Sequence, residues 1–170
     1  MGMEFAVGDA VVYGTHGIGR VVERTSIRGS SGPARDAVVL ELADGLTVTL
    51  PVDRAREQLR PLLGTSEMSR VKAALREERT LGSEPWLARR QAIMAKLTAG
   101  DPVGLAEIIG EGATRERALQ ASGKRSQLSP GERDVVGKAR QLLAEEIGQA
   151  RGLSRDDADA WIETQLAHAV

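Results

Sequence analysis

Residues 37–51 constrain the fold more tightly than any other stretch. In Ala37-Val38-Val39-Leu40-Glu41-Leu42, Val38, Leu40 and Leu42 alternate with Val39 and Glu41. In Leu46-Thr47-Val48-Thr49-Leu50-Pro51, Leu46, Val48 and Leu50 alternate with Thr47 and Thr49. Period-two alternation places every second side chain on one face of a strand. Ala43-Asp44-Gly45 separates the two runs, and Asp-Gly supplies the positive-φ turn that joins antiparallel strands. The stretch therefore predicts a β-hairpin with one buried face. A lone hairpin is marginal in water, so further strands must cover it.

The N-terminal residues supply them. Gly8-Asp9 is a turn signal, followed by the short strand Ala10-Val11-Val12-Tyr13. Arg20 to Arg24 reads as another strand. Between them lies Gly14-Thr15-His16-Gly17-Ile18-Gly19. Its glycines do not follow a GxGxxG order, no GK[ST] follows, and a strand rather than a helix comes next, so a tight bend is favoured over a phosphate loop. Ser26 to Arg35 is an open loop with Gly29, Gly32 and Pro33. Several short strands in about sixty residues predict a small curled sheet of SH3 or Tudor type.

After Pro61 the period changes to that of a helix. Thr65 is the expected cap of a helix through Met68, Val71, Ala74 and Leu75. Ser83 and Pro85 open a helix with Trp86, Ile93, Met94 and Leu97, ending at Ala99-Gly100. Asp101-Pro102 starts another, with Leu105, Ile108 and Ile109, whose end is blurred by Gly110 and Gly112. Gly123 to Gln127 reads as a polar loop. Ser129-Pro130-Gly131-Glu132 has the form of a capping box before Val135, Ala139, Leu142, Leu143 and Ile147. Ser154 caps a last helix with Ala158, Trp161, Ile162 and Leu166 inward, and Trp161 reads as core. The expected class is α+β: a small N-terminal SH3/Tudor-like β-barrel in residues 1–62, then an all-α domain of about five helices in residues 63–170.

Composition narrows the function. The chain of 170 residues has no cysteine and a net charge of -1, which excludes disulfides, thiolate metal sites and nucleic-acid binding by bulk charge alone. His16 and His168 are the only histidines, and no HExxH, Cys-His or Ser-His-Asp arrangement can be drawn. Glu145-Glu146 are helix neighbours and do not face each other. No catalytic residue, metal site or cofactor is expected, and neither is a membrane span or secretory signal. A cytoplasmic, non-enzymatic protein is the default expectation.

Charge is locally uneven. Residues 63–100 hold seven basic and four acidic groups, a local +3. Within them lies Ser83-Glu84-Pro85-Trp86-Leu87-Ala88-Arg89-Arg90. Trp86 projects from the start of a helix instead of lying inside a long apolar stripe. Such a ring either fills a gap between helices or reaches into a partner. The basic groups beside it form either a solvated helix face or a set of phosphate contacts.

The chain resembles the CarD family of bacterial RNA-polymerase-binding transcription regulators over nearly its whole length. The resemblance rests on Phe5-Ala6-Val7-Gly8-Asp9-Ala10-Val11-Val12-Tyr13, His16-Gly17-Ile18-Gly19 and Leu46-Thr47-Val48-Thr49-Leu50-Pro51. It continues through Trp86 with Arg89, Lys96-Leu97, Gly100-Asp101, Ala106-Glu107, Leu128-Ser129-Pro130-Gly131-Glu132 and Ala139-Arg140-Gln141-Leu142-Leu143. The order and spacing of these motifs carry it, not any one of them. It implies that the Tudor-like domain docks on the polymerase β subunit through an exposed strand edge. It also implies that the helical domain meets promoter DNA at the upstream edge of the transcription bubble, with Trp86 in the minor groove.

Site residues follow from the resemblance. Trp86, Arg89, Arg90 and Arg133 are expected at DNA, and Arg24, Arg28, Thr47, Thr49 and Pro51 at the polymerase. Many family members have arginine where Ala88 stands and a basic residue at Gln91, so phosphate contacts are expected to have moved to Arg89 and Arg90. Arg24 falls one place before the family's polymerase-contacting arginine, which sits near Thr25. Residues 110–127 are longer than is usual in the family, and Arg115, Arg117, Lys124 and Arg125 are read there as a solvated loop, with an added DNA contact as the alternative. DNA binding by the isolated chain, expected to be a monomer, would be weak and non-specific. The competing reading is an adaptor that docks on the polymerase without touching DNA.

Overall fold

The alternation in residues 37–51 is realised as a hairpin. The computed structural model describes residues 3–123 and 127–169. In it β3 (Arg35–Leu42) and β4 (Thr47–Pro51) pair antiparallel, with Leu40 opposite Val48 and Val38 opposite Leu50. The turn is three residues long. Gly45 N–H donates to the Leu42 carbonyl at 2.9 Å, Leu42 N–H donates to Leu46 O at 2.8 Å, and Gly45 takes φ +83°. Glycine reaches that conformation without a Cβ penalty.

The chain folds as two compact units, one ending at Leu62 and the other beginning at Leu63. In the first, β1 (Ala10–Tyr13), β2 (Ile18–Ile27), β3, β4 and β5 (Leu59–Pro61) form one antiparallel sheet in the order β4-β3-β2-β1-β5. Phe5, Val11, Val21, Val38, Leu40, Leu50, Ala55 and Leu59 make its core. The glycine-dense stretch is a bend: a single 3-10 turn at Gly14–His16, closed by Tyr13 N–H donating to Gly17 O at 2.8 Å. Gly19 faces Leu42, and a Cβ there would sit 2.9 Å from Leu42 Cδ2. Sequence reading missed two elements. The first is the short helix α1 (Val52–Gln58), whose one buried residue is Ala55. The second is β5, whose three residues carry no alternation of their own and are held by pairing with β1.

The second unit contains α2 (Thr65–Arg76), α3 (Trp86–Ala99), α4 (Pro102–Ala121), α5 (Pro130–Arg151) and α6 (Arg155–Ala167). Helix α4 packs against α2, α3 and α5, and α6 packs against α5 and α2. Leu75, Leu105, Ile109, Leu143, Ile147 and Ile162 are almost fully buried, each contributing about 2 kcal/mol. Trp161 packs partly against this core under the Arg151 guanidinium, 5.7 Å from its ring.

Three expectations need correction. The loop expected over Ser26 to Arg35 is shorter, because β2 runs on to Ile27 and pairs there with Arg35 of β3. Thr65 is the first helical residue, not the cap; Gly64 holds the cap position, and Glu67 accepts from its N–H at 2.6 Å. Helix α4 does not end at its glycines, so residues 110–121 are helix and not loop. Close packing explains both glycines. A Cβ on Gly112 would lie 2.7 Å from Val136 Cγ2, and one on Gly110 would lie 2.8 Å from Arg79 Cζ. Arg79 occupies that space to cap α2, donating to Ala74 O at 2.7 Å.

Helices α5 and α6 are tied by a forked pair. Arg140 Nε and Nη2 donate to the two Asp159 oxygens at 2.5 and 3.0 Å, and Nη2 also meets Glu163 at 2.9 Å. The hydrogen bond from Arg140 holds the Asp159 carboxyl below its ordinary range, and the same bond holds the guanidinium above its own.

Candidate nucleic-acid interface

Helix α3 begins abruptly at the tryptophan. Pro85 stands at the cap in an extended conformation, φ -66° and ψ 157°, and its carbonyl accepts from Ala88 and Arg89 N–H at 3.1 and 3.3 Å. Proline there fixes the entry of the chain and presents Trp86 as the first helical residue. The ring is half-buried. One side packs on the helical core, and its Nε1 edge faces Gly131 closely enough that a Cβ there would sit 3.2 Å away. Gly131 belongs to the first turn of α5, so two helix N-termini meet at one indole. A helix N-terminus carries positive partial charge. Leu87, next in the chain, is 78% exposed.

Arg89 lies one turn after Trp86, its Cζ 5.7 Å from the ring centroid. It is turned into the protein. Its Nη1 donates to Glu111 Oε1 and its Nη2 to Glu132 Oε1, both at 2.9 Å, while Nε donates to Glu84 O at 3.2 Å. Arg115 pairs with the same two carboxylates, at 3.3 Å to Glu111 and 3.6 Å to Glu132. Only about a tenth of the Arg89 and Glu132 side chains is exposed. Glu132 therefore does not complete the expected capping box. Ser129 Oγ accepts from Glu132 N–H at 3.3 Å, but the carboxylate is taken by the two arginines.

The expected DNA residues thus separate. Trp86 keeps an open side. Arg90 is exposed and makes no ion pair with a described residue. Arg133 is exposed and donates through Nη2 to Gln127 Oε1 and Leu128 O at 3.2 and 3.4 Å. Arg89, in contrast, spends each guanidinium nitrogen inside the protein. Arg115 is in the same cluster, and Arg117 donates to Ala169 O and Leu166 O at 2.9 and 3.4 Å. Lys124 and Arg125 lie outside the described residues. The i,i+4 spacing of Glu111 and Arg115 is visible in the sequence, but their meeting with Arg89 and Glu132 requires three packed helices.

The expected polymerase residues also separate. Thr47 and Thr49 are exposed on β4, an edge of the sheet. Leu42 and Leu46 are a hydrogen-bonded pair. Alternation then makes Leu40–Val48 and Val38–Leu50 bonded pairs, and directs the backbone groups of Thr47, Thr49 and Pro51 away from β3. A proline at such a position costs no ladder bond. A register shift between Val21 and Glu23 puts Arg24 opposite Val38, in the row of Leu50, and puts Thr25 opposite Ala37, in the row of Pro51. Arg24 and the Thr47–Thr49–Pro51 set are on opposite faces. Arg28 is exposed just beyond β2.

A cleft of about 500 Å³ beside Arg89 is lined by Glu77, Arg79, Leu81, Lys96, Glu111 and Arg115 among others. Glu77 pairs with Arg79 and Lys96 with Glu107. Among the described residues no group of three or more His, Asp and Glu is placed to hold a metal. No described helix is long and apolar enough to cross a membrane. Residues 5–63 match the family model of the CarD-like/TRCF RID domain, and residues 70–163 match that of the CarD C-terminal domain.

Proposed function

The chain belongs to the CarD family of RNA polymerase-interacting transcription regulators, and from that premise we propose that it docks on the polymerase β subunit with β4 and stabilises the open promoter with Trp86. The observation that carries this is the half-buried ring at the junction of α3 and α5. A side chain that wedges into DNA needs a fixed base and a free edge. Packing against the core and Gly131 supplies the base. The two helix N-termini and the exposed Arg90 and Arg133 supply positive potential for flanking phosphates.

A ring lodged where base pairs have begun to unstack opposes closure of the bubble. Unstacking a step costs a few kcal/mol, so a wedge that takes the place of the lost stacking shifts the open-complex equilibrium by a power of ten or more. Docking through β4 raises the local concentration of the wedge, which fits a chain of net charge -1. Edge pairing uses backbone groups, so an uncharged Thr49 is compatible with it. The test is open-promoter lifetime with the matching polymerase, wild type against Trp86→Ala.

The second reading is the adaptor without DNA contact. It draws on the same ring, since half of Trp86 is already satisfied by its own chain. In that reading a protein partner of the helical domain covers the exposed Leu87 and the open side of Trp86.

A further inference from the structure

We propose that Arg89 is a positioning residue for Trp86 and does not contact phosphate: with Glu111, Arg115 and Glu132 it forms a closed ring of alternating charge that fixes the indole between α3 and α5. The inference rests on the reading of Trp86 as the DNA-facing residue and adds how that residue is held.

The ring is closed because each carboxylate lies between two guanidiniums. Glu111 meets Arg89 at 2.9 Å and Arg115 at 3.3 Å; Glu132 meets Arg89 at 2.9 Å and Arg115 at 3.6 Å. It is neutral overall, which limits the cost of burying about nine-tenths of Arg89 and Glu132. Three helices contribute: Arg89 from α3, Glu111 and Arg115 from α4, Glu132 from α5. Arg89 also holds the carbonyl of Glu84, just before Pro85 and Trp86. Its partner Glu132 directly follows Gly131, the residue against the indole edge. Both walls of the Trp86 seat are therefore joined through one guanidinium. A planar fork can serve three acceptors in fixed directions, whereas an ammonium cannot reproduce that geometry.

The two roles predict opposite responses. If Arg89 held a phosphate, Glu132 would compete with DNA for it, and Glu132→Gln would tighten DNA binding. If Arg89 positions Trp86, Glu132→Gln loosens the seat and weakens the effect of the ring. Full-length Arg89→Lys, Glu132→Gln and the swap Arg89→Glu/Glu132→Arg are to be compared in a Trp161→Phe background, where Trp86 is the only tryptophan. Trp86 fluorescence anisotropy, open-promoter lifetime and the salt dependence of DNA affinity are read for each.

We expect Arg89→Lys and Glu132→Gln each to lower Trp86 anisotropy and to lose most of the lifetime extension, with the salt slope unchanged. The charge swap should recover part of both. The proposal is overturned if Arg89→Lys leaves anisotropy at the wild-type value, or if Glu132→Gln tightens DNA binding. It is equally overturned if the swap, which takes the cation away from position 89, lowers the salt slope by about 1, the signature of a lost phosphate contact. Trp86→Ala in the lifetime assay separates the two claims. A wild-type lifetime there removes the wedge reading, while the anisotropy still decides what Arg89 does to the ring.

Discussion

The indole nitrogen of Trp86 lies against the backbone of Gly131, where a Cβ would stand only 3.2 Å from it. The first residue of α3 is thereby seated on the first turn of α5. Glycine is needed there for close approach, not for an unusual φ. The seat gives Trp86 a defined direction, and the positive ends of two helices beside it make the surroundings suited to a polyanion.

The proposed docking through β4 separates into backbone and side-chain contributions. Thr49 sits at a position whose N–H points away from β3. Thr49→Pro should therefore weaken binding to the isolated polymerase β-subunit lobe at least about tenfold, the loss of roughly one well-placed hydrogen bond and its neighbours. Thr49→Val should bind nearly as wild type. Titration by biolayer interferometry checks both, with circular dichroism confirming that the sheet persists.

Arg90 and Arg133 should behave as phosphate contacts. Replacing either with alanine is expected to weaken DNA binding evenly across sequences and to lower the slope of log K against log salt by about 1. Fluorescence titrations on duplexes of different sequence at several salt concentrations measure this.

Gly112 is expected to resist a change that helix propensity favours. Alanine should gain about 1 kcal/mol in a helix interior, yet its Cβ would stand 2.7 Å from Val136 Cγ2. We expect Gly112→Ala to destabilise the protein by about 1–3 kcal/mol through overpacking. Gly112→Ala/Val136→Ala should recover part of it in urea unfolding.

Acid should loosen the tie between α5 and α6. The Arg140 hydrogen bond lowers the Asp159 pKa from 3.8. A depressed folded pKa contributes stability above the unfolded value, and that stability is lost as pH falls through the folded value. Asp159→Asn should therefore lower Tm at neutral pH, and the gap to wild type should close below about pH 4. Thermal melts from pH 7 to pH 2 read the gap directly.

Much of the fold is legible because local signals agree with it. The hairpin at Asp44-Gly45 is set by alternation and a turn pair, and α5 is announced by Ser129-Pro130. Helix α4 runs through two glycines because Arg79 and Val136 occupy the space that side chains would need, a fact held in other parts of the chain. Strand β5 exists through its pairing with β1 and has no pattern of its own. In the candidate site, the position of Trp86 could be read from Pro85 and the helix start. The seat on Gly131 and the burial of Arg89 could not. Adjacent arginines look alike in sequence, yet the helix turns Arg89 inward to two carboxylates and leaves Arg90 in solvent.

The central claim is that Trp86 holds the promoter open. The direct measurement is the lifetime of competitor-challenged open complexes formed by the matching polymerase, alone, with the wild-type chain and with Trp86→Ala. The account predicts that the wild-type chain lengthens the lifetime about tenfold, as a few kcal/mol of stacking at one step allows. Trp86→Ala should bind the polymerase equally well and lose most of that extension. An alanine variant that stabilises the complex as well as wild type would contradict the account and leave the chain an adaptor.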